Sequence, residues 1–352
     1  TKDWSRYFSA SELTPEVKGV RVNLRLYRAS GTVWFDDVQL RAARHESITE
    51  AVPLRRGLDL SRGVAVVSAD GADAAAEDIE DALDEKGIDA QIVDDSKVDL
   101  HAENRELIIL GNLATSDACE YLYRNYYTFE DLYFPGSGGF VLRPLVNPLG
   151  NGANVLVVGA SDDEGLRSGT NHLVDLIAEA DDVLHCDLKV EIGAGYRGHS
   201  NYPWPASPPW DEIKYAADFL KSGDMAHARR YREYVLDNWF DPDHREWHHL
   251  FYITKTLSWE LMHTCEVFSD EERLQITNEL LKHLRGDQGY GYGGLDTANG
   301  MIKENHRTRA ARAFYFGWRH FDKYYPDNMP AELQMWRRKL RDFWTLCFST
   351  FR

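Results

Sequence analysis

Residues 301–314 read MIKENHRTRAARAF, placing Asn305 and His306 side by side between Lys303 and Arg307. An amide next to an imidazole, flanked by two cations, suits withdrawal of a proton that lies beside a carboxylate. An ionised carboxylate resists further negative charge. A site that removes the neighbouring proton must therefore neutralise it with amide or cationic donors, the preorganisation that serves any developing oxyanion. Asn305 supplies the amide and Lys303 or Arg307 the charge, while His306 has the pKa range that exchanges a proton near neutrality. A polymer of uronic acids is the matching substrate. A base takes the proton at C5, next to the carboxylate, an acid protonates the departing O4, and the chain is cut by β-elimination. A tyrosine is expected to complete the set as acid or base, and Tyr290 and Tyr292 in the glycine-rich GDQGYGYGGLD, with Tyr252, are the candidates within the chain.

Two other chemistries are written in the same region. Glu246 to His249 and Glu260 to His263 both show the Glu-x-x-His spacing that builds di-iron carboxylate sites when it occurs on facing helices. Here both lie on one stretch, too far apart to share a metal, so no metal site is assigned and no cofactor is required. A hydrolase would need two carboxylates; Asp243, Glu246, Glu260 and Asp296 are available, without a distinctive spacing. His248 and His249 are assigned to the cleft of the first reading, and His263 to a hydrogen-bonded place in the core. Trp204 and Trp247 are candidates for stacking on sugar faces, whereas Trp259 falls at a core position. A glycan-binding protein without catalysis is the remaining class.

The elements that must position these residues come in three blocks. From residue 205 to 352 the pattern is helical, with helices expected at about 211–222, 225–239, 246–268, 270–285, 299–324 and 331–351. Six helices joined as hairpins suggest an all-α (α/α) toroid, about half of a complete ring. The face shared by Asn299, Lys303, His306 and Ala310 is polar and then small, which fits a wall of a wet cleft. Residues 60–195 alternate strand-like runs (VAVVS, AQIVD, LIIL, FVLRPL, NVLVVGA) with helices near 72–86, 116–127 and 163–180, the signature of an α/β sandwich. Gly159 and Gly165 fit no dinucleotide or phosphate-loop spacing. Residues 46–60, with Pro53 and Arg55-Arg56, read as a polar linker. Residues 1–45 contain two alternating runs, 20–27 and 32–40, around a turn at Ser30-Gly31, and read as a β-hairpin.

Composition narrows the partners. The formal charge of -17 opposes a general nucleic-acid binder, because the balance supplies no phosphate-neutralising surface. No apolar run approaches a membrane span. The 10 tryptophans and 18 tyrosines form an aromatic load of the kind that sugar-binding proteins carry. Cys119, Cys186, Cys265 and Cys347 show no metal-ligand spacing.

Three stretches carry resemblances. GTVWFDDVQL resembles the closing strand of jelly-roll carbohydrate-binding modules, which makes residues 1–45 the C-terminal part of a β-sandwich. LIILGN with VLVVGASDDEGLRSGTNHLVDLI resembles the small α/β domain that precedes the catalytic domain of hexosaminidases and α-glucuronidases. ENHRT in a toroid helix resembles the Asn-His pair of heparinase II/III-like and oligoalginate lyases, whose motif runs Asn-Asn-His-Gly or Asn-His-x-Thr; Glu304 and Arg307 depart from it. This last resemblance implies that Asn305 neutralises the carboxylate, that His306 transfers the proton, and that a catalytic tyrosine follows some tens of residues later, a distance that can reach past Arg352. It also implies an acidic polysaccharide as partner and a secreted or periplasmic location.

Overall fold

The structure, a computed structural model, describes residues 47–196, 211–240, 249–285 and 305–349. The expected hairpin and jelly-roll strand at residues 1–45 lie outside these residues.

The first part of the chain is a mixed sheet with helices. In order it forms β1 (Leu58–Asp59), β2 (Val64–Ser68), α1 (Asp73–Glu85), β3 (Ala90–Asp94), β4 (Glu106–Gly111), α2 (Asp117–Arg124), β5 (Phe140–Leu145), β6 (Val155–Ala160), α3 (Asp163–Glu179), β7 (Val183–Leu184) and β8 (Lys189–Glu191). The main sheet has the order β3-β2-β4-β6-β5-β8, while β1 and β7 pair separately. The four strands β3, β2, β4 and β6 are parallel; β5 runs antiparallel to both β6 and β8.

β2, β4 and β6 are buried along their whole length, as central parallel strands covered on both faces must be. Their side chains alternate between two cores. Val64, Val66, Ile108, Leu110, Leu156 and Val158 meet Ile79 and Leu83 of α1 and Leu173 and Ile177 of α3. Ala65, Val67, Leu107, Ile109, Val155 and Val157 meet Ala118, Cys119 and Leu122 of α2. Two of the three helix starts are capped by side chains, Ser116 accepting from the Cys119 N–H and Asp162 from the Gly165 N–H, while α1 follows Ala72 without one. Gly159 and Gly165 are needed for close packing. A Cβ on Gly165 would come within 2.1 Å of the Gly139 carbonyl oxygen, and one on Gly159 within 2.4 Å of the Glu130 side chain.

The segment read as a linker is a strap. Ile48 is inserted in the helical core and exchanges backbone bonds with Asn278. Arg55 pairs with the buried Glu106, Arg56 donates to the Thr264 carbonyl, and Leu58–Asp59 becomes strand β1. Pro53 and paired arginines suggest solvent exposure, but the partners that fix them lie in distant parts of the chain.

The second part contains α4 (Asp211–Ser222), α5 (Met225–Asn238), α6 (His249–Met262), α7 (Asp270–Arg285), α8 (Asn305–Tyr324) and α9 (Pro330–Ser349). Their core is aromatic, with Tyr231, Trp259, Phe321, Trp336 and Phe343 all buried. Packing does not simply follow chain order. α4 packs on α6 and α6 on α8, so alternate helices form a row, while α5 rests on α4 and α7 and α9 on α8. Among the described residues no helix is long and apolar enough to cross a membrane.

Candidate functional site

α6 and α8 are parallel. Trp259 meets His320, and His263 meets Tyr324, so the contacts advance along both helices together. α7 supports this direction because it runs against α8: Thr277 reaches Tyr325, whereas Leu284, farther along α7, packs on Gly317. Both ring contacts join residues sixty-one apart in sequence, and carrying that offset back sets residues 249–252 level with 310–313. The first turn of α6 therefore lies level with the second turn of α8, and α8 begins five residues, about 7.5 Å, beyond it at the same end of the pair. His249 and Tyr252 open α6, while Asn305, His306 and Arg307 open α8. These five have helical backbone, and their side chains lie outside the described set. Tyr290, Tyr292, Lys303, His248, Trp204 and Trp247 lie outside the described residues, as do Asp243, Glu246 and Asp296.

Farther along the same pair the side chains form a buried polar cluster. The fully buried Glu260 carboxylate accepts from the Tyr127 hydroxyl at 2.7 Å and pairs with both Arg319 and Lys323. Lys323 also donates to the Tyr127 oxygen at 2.7 Å. Burial by itself would raise the Glu260 pKa, but the two cations and the hydrogen bonds outweigh it and hold the carboxyl at about 2. One carboxylate faces two cations, and the surplus charge tells on the lysine. Burial, with Arg319 adding to it and Glu260 opposing, brings Lys323 down to about 8. Burial and the neighbouring Glu260 carboxylate push the Tyr127 hydroxyl well above its ordinary range.

This cluster corrects two expectations. Glu260 was a candidate hydrolytic carboxylate; it is committed to Arg319, Lys323 and Tyr127 in the buried interior. His263 is in the core as expected, yet among the described residues neither ring nitrogen has a hydrogen-bond partner. The same holds for His320, whose ring stands edge-on to His263 with centroids 4.5 Å apart. Burial depresses both imidazoles, His320 to about 3. Among the described residues no group of His, Cys, Asp and Glu is arranged to hold a metal ion.

The cluster is also a seam between the two parts of the chain. The loop after α2 places Asn125, Tyr126 and Tyr127 along α8, where they meet Arg312, Tyr315, Arg319 and Lys323. Those four recur at helical spacing, so one face of α8 is devoted to the sheet-bearing part. That spacing was visible in the sequence; Tyr126 and Tyr127, its partners, were not.

The chain matches no protein-family model, and no curated protein matches it.

Proposed function

We propose that the chain is a polysaccharide lyase that cleaves a uronic-acid-containing polysaccharide by β-elimination. In this reading residues 60–195 are an α/β sandwich domain, residues 205–352 are part of an (α/α) toroid, and residues 1–45 end a carbohydrate-binding module. The alternate row α4, α6, α8 supports the toroid, since concentric layers need every second helix to pack on the next. The observation that supports the function is that α6 and α8 both begin toward the same end of their pair, with the start of α8 about 7.5 Å beyond that of α6. The Asn305–His306 pair begins α8 at the end of the α6–α8 pair where α6 begins with His249 and Tyr252.

Asn305 would donate to the uronate carboxylate as negative charge builds on it, assisted by Lys303 and Arg307. His306, with Tyr290, Tyr292 or a tyrosine beyond residue 352, would exchange the protons at C5 and O4. His248, His249, Tyr252, Trp204 and Trp247 would bind the sugar chain, with no cofactor in the reaction. The natural partner is an extracellular acidic polysaccharide, which favours a secreted or periplasmic setting. The hydrolase alternative is weakened because Glu260 is locked in its ion pairs.

The test is incubation with alginate, glucuronan, heparan-type and ulvan-type polymers while following ultraviolet absorbance. Unsaturated uronate absorbs; hydrolysis would give reducing ends without that signal, and a binding protein would give neither. Absence of absorbing product across the panel, with the chain continued past residue 352, would refute the proposal.

A further inference from the structure

The Schellman turn that ends α2 has an unusual occupant. The Tyr127 N–H bonds back to the Leu122 carbonyl at 2.9 Å and the Tyr126 N–H to Tyr123 at 3.0 Å. Tyr126 thus occupies the left-handed position, with φ at 67°, where glycine is the usual residue because a side chain there is costly. A bulky residue held in that conformation calls for an explanation in what its side chain touches. The Tyr126 ring lies edge-on to Phe316 and beneath the Arg312 guanidinium, 5.4 Å from its centre, and its hydroxyl accepts from that guanidinium.

Arg312 is exposed, in a chain whose formal charge is -17, and among the described residues no carboxylate pairs with it. Elsewhere on the same helix Arg319 is consumed by Glu260. Among the described residues one hydroxyl occupies one position of the Arg312 fork, leaving the other donors for a planar, two-oxygen anion. Arg312 follows Asn305 by seven residues in α8, so the two positions share a side of the helix and lie about 10 Å apart along it. It also stands level with the first turn of α6, where Tyr252 lies.

We propose that Arg312, oriented by Tyr126, is a carboxylate-binding subsite for a second uronate of the bound chain, about two sugar units from the one at Asn305. The sheet-bearing part of the molecule thereby contributes to substrate recognition through Tyr126. This rests on the polyuronate reading above and names a residue pair that the reading lacks. Arg312 acts by binding and takes no part in proton transfer.

Affinity electrophoresis of the whole chain in gels containing alginate or glucuronan tests it, with a neutral glucan gel as control and melting temperature as the check on folding. Arg312→Ala should weaken retardation in the polyuronate gels about tenfold, the loss expected for one charge-assisted pair, and leave the neutral gel unchanged. Arg312→Lys should recover part of the affinity, since it keeps the charge and loses the fork. Tyr126→Phe should weaken affinity severalfold at an unchanged melting temperature. The gap between wild type and Arg312→Ala should narrow as salt is added. If wild type is retarded and Arg312→Ala is retarded equally, the subsite is refuted while the lyase reading stands. If wild type is not retarded by any polyuronate, both fall. A Tyr126→Phe variant that melts lower with unaltered affinity would make the contact purely structural and overturn the orienting role.

Discussion

The buried histidine pair makes the protein sensitive to mild acid in a way that can be separated from ordinary acid denaturation. His263 and His320 are fully buried, have no hydrogen-bond partner on any ring nitrogen among the described residues, and face Arg273, Arg56 and Lys323 as well as Glu260. Burial holds His320 at about 3, so it stays neutral in the folded chain near pH 5.5, and burial holds His263 well below its ordinary value. In the unfolded chain they titrate near 6.5. A folded pKa below the unfolded one means that the unfolded state binds more protons in between. Stability is therefore full above about pH 7 and falls as the pH drops toward the folded values. Between about pH 7.5 and 5.5 His320 should remove about 1.4 kcal/mol, and His263 should add a loss of the same sign. Removing one imidazole at a time separates its share from that of Asp95, Glu106 and Asp322, whose carboxyl pKa values burial raises. His320→Phe keeps an aromatic ring in the cluster and removes two unsatisfied nitrogens, so it should fold well at neutral pH. Its loss over the same window should be about 1.4 kcal/mol smaller than that of wild type, and His263→Phe should change the loss in the same direction. Urea unfolding followed by tryptophan fluorescence, with Trp259 against both rings, gives the required midpoints and slopes. Equal pH dependence in wild type and both variants would show that the imidazoles take up protons within the fold, and the reasoning from burial would be wrong.

Glu260→Gln strands Arg319 and Lys323 without their anion and should cost about 3–5 kcal/mol in denaturant unfolding, with Lys323→Met costing clearly less because the Glu260–Arg319 pair survives it. A similar loss for the two would contradict the charge-surplus account of the cluster. Gly165→Ala should destabilise the sheet-bearing part, since its Cβ would stand 2.1 Å from a backbone oxygen; an unchanged melting temperature would show that α3 can shift. For catalysis, Asn305→Ala should lower kcat and kcat/KM together by about 100-fold, and His306→Ala should flatten the pH-rate profile near neutrality. Full rates in both, measured by unsaturated product on the longer chain, would make the pair structural.

The central strands were legible because burial on both faces leaves little but apolar side chains in the sequence, as in VAVVS and VLVVGA. Short edge strands such as β1, β7 and β8 carry no such mark, and Leu58–Asp59 was absorbed into a supposed linker. Helix positions in the second part followed from periodicity, but the choice of α8 rather than α5 or α7 as the neighbour of α6 depends on contacts some sixty residues apart. The site shows the same division. Asn305–His306 is a local motif and can be read directly. Glu260, Arg319 and Lys323 each look like a solvated helix charge, and become a buried cluster only when Tyr127, 133 positions from Glu260, is brought between them. Tyr126 was hidden for a related reason, since a left-handed turn filled by tyrosine leaves no glycine to announce it.

The face of α8 that meets the loop Asn125–Tyr127 bears on how such a chain can be rearranged over time. Arg319 and Lys323 take their counter-charge from Glu260 on α6, and from the sheet-bearing part Arg319 takes the Asn125 carbonyl and Lys323 the Tyr127 hydroxyl, so neither piece carries a complete set. A helical ring transplanted without its sheet-bearing companion would uncover tyrosine-lined cations, and the companion alone would expose Tyr126 and Tyr127 to water. Recombination that exchanges one piece should survive only where both sides of the seam are inherited together.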